Sequence, residues 1–185
     1  MAAGAVLILI SLVTASIVLI GSAKADVDPA CAAEFIESIL PEPVAGVKEE
    51  RGNSGMPVVN YENTGYAALL TVQDGALTLP VVSAWNNKTA KKVLCRYYGN
   101  PYDGSLVIGG TAAGGQFDFI SGLDTGDRLT LADMKGYVFS YAVSSVRHAN
   151  KISADILTGD GGDLTLFAKD GKTGKWVVVG CRLAG

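Results

Sequence analysis

The feature that most restricts this chain is a succession of short apolar runs punctuated by glycine, beginning at Tyr66 and continuing almost to the C-terminus. The runs are 66–73, 79–85, 92–98, 105–110, 127–133, 137–147, 163–169 and 175–183. Gly75, Gly99, Gly104, Gly126, Gly136, Gly171 and Gly174 lie between or beside them. Such runs are too short for helices, and turn residues at their ends mark them as strands. Eight strands in about 120 residues fold as a closed barrel or a sandwich. The expected class is mainly β, with 116–123 as the one short helix inside the domain. A chain of 185 residues supports one such core, not two.

Composition excludes several functions. Charged residues make up 18% and the net charge is −3, which is not the footprint of a nucleic-acid binder. No nucleic-acid partner is expected. Apolar residues make up 49%, so the chain is not of the disordered class. One histidine, His148, and three cysteines are too few for the usual four-ligand zinc site. The stretch Thr158-Gly159-Asp160-Gly161-Gly162-Asp163 is similar to calcium-binding Gly-Asp repeats, but it occurs once and brings two carboxylates. Calcium needs six or more oxygens, so a tight turn is expected there and no metal. No cofactor is expected.

Residues 1–23 carry no charged side chain, and an apolar run extends from Ala5 to Ile20. At about 1.5 Å per residue such a stretch crosses a ~30 Å hydrocarbon layer. Segment 1–25 is therefore read as a membrane anchor, with a cleaved signal peptide as the alternative because Ala23-Lys24-Ala25 fits a small-x-small site. Either way the rest of the chain lies outside the cytoplasm. The expected location is the cell membrane, single-pass, with the globular part extracellular. That compartment allows a disulfide. A Cys95–Cys181 bridge with a spare Cys31 is the expectation, and three free thiols the alternative.

Segment 26–60 reads as a juxtamembrane helix and tether. Asp28-Pro29 supplies an N-cap and a first-turn proline, and the helix runs to about Leu40 before Pro41. Cys31, Phe35 and Ile39 recur at four-residue spacing, so this side is expected to pack on the domain 61–185. Residues 41–60 mix Pro, Gly, Glu and Asn and read as the tether.

Within 66–183 the residues resemble the sortases, specifically their class B-like branch. Leu79-Pro80-Val81-Val82, Cys95-Arg96-Tyr97-Tyr98-Gly99 and Leu106-Val107-Ile108-Gly109-Gly110 match segments of that family in order. So do Phe117-Asp118-Phe119-Ile120-Ser121-Gly122-Leu123 with Gly126-Asp127, and then Leu164-Thr165-Leu166-Phe167. The resemblance implies an eight-stranded sortase β-barrel behind a membrane anchor. It also implies a transpeptidase chemistry of three groups. A cysteine attacks a sorting-motif peptide to form a thioester. A histidine moves protons, and an arginine stabilises substrate and oxyanion.

All three family positions are occupied by other residues. Thr111 follows Gly109-Gly110 where the histidine belongs. Lys169 stands where the Leu-Thr-Leu strand ends on its cysteine. Trp176 stands at the arginine position, with Lys175 beside it as the alternative register. His148 is at no motif position. A lysine would form an amide that does not turn over as a thioester does, and no base is visible near Thr111. Trp176 lies five residues from Cys181, so a regular strand points the two to opposite faces. No catalytic residue is therefore expected, and Thr111, Lys169, Lys175 and Trp176 are the candidates for a binding groove.

The expected function is a sortase-like protein at the cell surface, inactive as a transpeptidase and serving binding or assembly. Its expected partners are the membrane and either a sorting-type peptide or an active sortase. Two rivals remain: an active cysteine transpeptidase using Cys95 or Cys181, and an unrelated secreted barrel with an internal ligand cavity.

Overall fold

The structure, a computed structural model of the chain, describes residues 28–45, 55–72, 75–113, 115–159 and 162–184. Its elements are α1 (Pro29–Ile39), β1 (Val44–Ala45), β2 (Val59–Tyr61), β3 (Thr64–Val72), β4 (Leu77–Val82) and β5 (Leu94–Tyr98), then β6 (Leu106–Ala113) and α2 (Asp118–Ser121). They continue with β7 (Arg128–Asp133), β8 (Tyr137–Ala149), α3 (Ala154–Thr158), β9 (Leu164–Lys169) and β10 (Trp176–Leu183). Strands β3 to β10 close on themselves in the order β8-β10-β9-β6-β5-β4-β3-β7 and back to β8. This is the expected eight-stranded barrel. The contacts β4–β5 and β6–β9 are parallel, and the others around the wall are antiparallel.

Strand alternation decides what fills the barrel. Leu164, Leu166 and Ala168 of β9 point inward, as do Val177, Val179 and Cys181 of β10 and Leu106 and Ile108 of β6. They meet Leu70, Leu94, Leu129, Leu131, Phe139 and Tyr141 from the other strands. Each large aliphatic side chain fully buried here contributes about 1.5–3 kcal/mol. Phe117, Ile120 and Leu123, in and around the short α2, join the same core. Gly110 is required beside them, because a Cβ there would stand inside the contact shell of the Phe117 ring. The rival barrel with an internal ligand cavity gains no support from an interior packed in this way.

The turn between β7 and β8 is built on Asp133, which is fully buried. Its carboxylate accepts from the backbone N–H of Lys135 at 2.8 Å and of Tyr137 at 2.9 Å, and from the Tyr102 hydroxyl. Asp163, inside the stretch compared with calcium repeats, instead accepts from the Leu183 backbone N–H at 2.7 Å and secures the end of β10.

Helix α1 begins where expected. The Asp28 carboxylate accepts from the Ala30 N–H at 3.0 Å, Pro29 occupies the first turn, and the helix stops at Leu40 ahead of Pro41. Its packed face differs from the expected one by a single position. Ala32, Ala33 and Ile36 are buried against Tyr66, Leu69, Val82 and Val93, whereas Cys31 and Ile39 are exposed and Phe35 is half-buried. Two alanines let the helix lie close to the sheet, and the bulkier Phe35 stacks on Tyr61 with ring centres 4.5 Å apart. Residues 41–60, read as a tether, carry two short strands. β1 pairs with β8, and β2, which reaches Tyr61, pairs with β3.

The expected Cys95–Cys181 bridge is not formed, and all three cysteines are free. Cys95 lies under α1 on the outside of the barrel, while Cys181 lies inside it. The wall itself separates them. Among the described residues no helix is long and apolar enough to cross a membrane. The expected span, residues 1–25, lies outside the described residues.

Candidate functional site

Three strands end together at one rim of the barrel. Lys169, the last residue of β9, is the cross-strand partner of Trp176, the first residue of β10, and pairs on its other side with Ala113 of β6. Inward-facing Ala168 and Val177 flank them, so alternation puts Lys169 and Trp176 on the outer face. There the Lys169 ammonium lies 5.6 Å from the centre of the Trp176 ring, within cation–π range. The β6 register shifts between Gly109 and Ala113, and Thr111 falls inside that irregularity, beside the end of β9. Its hydroxyl oxygen is shielded from solvent and has no hydrogen-bond partner among the described residues. The structure thus brings Thr111, Lys169 and Trp176 to one place on three adjacent strands. Lys175 is next to them, exposed in the hairpin turn.

The hairpin from Lys169 to Trp176 is held by its own residues. Asp170 donates its N–H to the Lys175 carbonyl at 2.9 Å and accepts from the Gly174 N–H at 2.8 Å. Gly174 takes φ +66°, which a side chain would resist. The Asp170 carboxylate accepts from the Thr173 hydroxyl at 2.6 Å and the Lys172 N–H at 2.8 Å, and these bonds hold it below the usual carboxylate range.

Below the rim, the outer faces of β6, β9 and β10 carry a second packed apolar cluster. Val107, Phe167 and Val178 pack there with Leu157 of α3, and Ile152, Ile156, Trp85 and Trp176 close around them. Phe167 is the centre. Its ring is 5.5 Å from Trp85 in a stacked arrangement, 5.6 Å from Tyr97 edge-on, and 6.0 Å from Trp176. Gly109 makes room for it, since a Cβ there would lie 2.6 Å from the Phe167 ring. The Trp85 indole is fixed by donating to Asn87 Oδ1 at 2.9 Å. Tyr97 remains 48% exposed, so the aromatic bed is open on that side. Of this cluster sequence reasoning singled out Trp176 and missed Trp85, Tyr97 and Phe167. Trp85 and Tyr97 reach Phe167 through the parallel β4–β5 and β6–β9 pairings as well as the β5–β6 pair, which no local pattern announces.

The other chemistry-bearing groups serve the scaffold. Cys95 and Cys181 have no exposed surface, and burial raises their thiols from the ordinary value of 9.0 to about 11 and about 12. A thiol so placed is protonated at neutral pH and is a poor nucleophile. A register shift does occur between Gly180 and Cys181, yet Cys181 stays inside the barrel while Trp176 faces out. Arg96 spends its guanidinium on the carbonyls of Ser83 at 2.8 Å and Gly99 at 3.1 Å. Arg147, opposite Val178, donates to the Ile156 carbonyl at 2.8 Å and holds α3 to the barrel. His148 is exposed near the end of β8 in register with Val177. A separate cleft of about 540 Å³ is lined by Pro29, Leu77, Lys91 and Gln116, among others, and by none of the rim residues.

No family model matches the chain, and no curated protein matches it in sequence. Solved structures do match in fold. Similarity to sortase A from Corynebacterium diphtheriae covers 84% of this chain and 82% of that one, at 17% identity and a TM-score of 0.58. A sortase D5 transpeptidase from Clostridium perfringens is matched over 65% of this chain and 79% of that one, at 15% identity and a TM-score of 0.54. Sortase E from Streptomyces avermitilis is matched over 65% and 88%, at 18% identity and a TM-score of 0.51. At these identities the likeness is one of architecture: this chain has the eight-stranded sortase fold.

Proposed function

We propose that this chain is a sortase-like protein of the class B-like branch, catalytically degenerate, that binds rather than transpeptidates at the cell surface. The observation that carries the reading is the Lys169–Trp176 pair. Two adjacent strand ends, in the positions that the sequence resemblance assigns to a nucleophilic cysteine and an arginine, hold a cation–π contact instead. Thr111, on the neighbouring strand, offers a hydroxyl where that resemblance asks for an imidazole. The two buried thiols support the reading, because neither is placed or ionised for attack. Loss of a nucleophile alone costs on the order of 10⁶ in turnover where catalytic groups act as a unit.

On this reading the rim around Thr111, Lys169, Lys175 and Trp176 retains binding, and the partner is a sorting-type peptide or an active sortase. One neighbour in fold, a sortase C from Clostridium perfringens, was solved with a C-terminal cell wall sorting motif. The uncharged segment 1–23 supports a single membrane anchor with the barrel outside. Protease added to intact cells is then expected to remove the barrel, and resistance would argue against that placement.

The reading is tested by mixing the full chain with a sorting-motif peptide and an amine acceptor and following both by mass spectrometry. The expected outcome is intact peptide with no joined product. Cleavage or transfer that disappears in Cys95→Ala or Cys181→Ala would establish the active-transpeptidase alternative.

A further inference from the structure

We draw no further inference here: the strongest candidate, the outward face of helix α1, where Cys31 and Ile39 are exposed and Phe35 is half-buried against Tyr61, carries nothing because no feature of the structure shows what covers it.

Discussion

The inner and outer faces of β6, β9 and β10 are written by alternate residues of the same three segments, but they answer to different demands. Inward stand Leu106, Ile108, Leu164, Leu166, Ala168, Val177 and Val179, all aliphatic and within 1% of complete burial. Outward stand Val107, Phe167, Lys169, Trp176 and Val178, a mixture of apolar, aromatic and cationic groups. The barrel needs volume and hydrophobicity, which many residues supply. Acyl transfer needs a particular nucleophile, base and oxyanion donor, which almost none supply. A segment can thus keep its inner face while its outer face changes, and the strand pattern survives intact.

The sharpest test of this contrast pairs one residue from each face of β9. Leu166→Ala removes a fully buried side chain and is expected to cost about 2–5 kcal/mol in urea unfolding, largely as the cavity it leaves. An effect below about 1 kcal/mol would show that the inner face tolerates change as freely as the outer.

Next in size is an alkaline effect. The thiols of Cys95 and Cys181 are raised in the folded chain from 9.0 to about 11 and about 12 by burial. Burial also raises the Tyr141 hydroxyl above its ordinary 10.0. Groups raised on folding contribute stability that is complete below their unfolded values and is lost as pH climbs through the folded ones. Stability is therefore expected to hold to about pH 8 and to fall between pH 9 and 12, by about 2 kcal/mol per thiol at pH 10.5. An active-site thiol would titrate in the opposite direction, so a flat profile over this window would contradict both buried assignments.

Gly110→Ala tests the boundary between the faces, because its new methyl meets the Phe117 ring. The expected loss is about 1–3 kcal/mol, read as a lower unfolding midpoint. Smallest of all is Lys169→Ala, expected to change stability by less than about 0.5 kcal/mol, since it gives up one partly exposed cation–π contact.

The same contrast explains how much was legible in the sequence. The eight barrel strands were, because Leu164, Leu166 and Ala168 alternate with outward residues and glycines close the turns. β1 and β2 were not, since two or three residues carry no periodicity and are strands only through pairing with β8 and β3. The five-residue α3 escaped for a similar reason, although Ser153 caps it by accepting from the Ile156 N–H at 3.4 Å. For α1 the four-residue spacing of Cys31, Phe35 and Ile39 competed with that of Ala32, Ile36 and Leu40, and size favoured the wrong set. Close packing of small alanines on the sheet decided it. The cysteine pairing failed because spacing along the chain says nothing about which side of a barrel wall a residue occupies. At the site, motif order located Thr111, Lys169 and Trp176. The aromatic bed beneath them depends on long-range strand pairing and was visible only in three dimensions.

The most direct measurement is trapping of a reactive thiol. The chain carrying Cys31→Ser, which removes its one exposed thiol, is mixed with a chloromethyl-ketone analogue of a sorting peptide and weighed intact. A second chain carrying Cys31→Ser and Lys169→Cys serves as the reference with a thiol at the rim. The expected result is an adduct on the second chain alone. A stoichiometric adduct on Cys95 or Cys181 of the first would show a working nucleophile and contradict the proposal that the barrel does not transpeptidate.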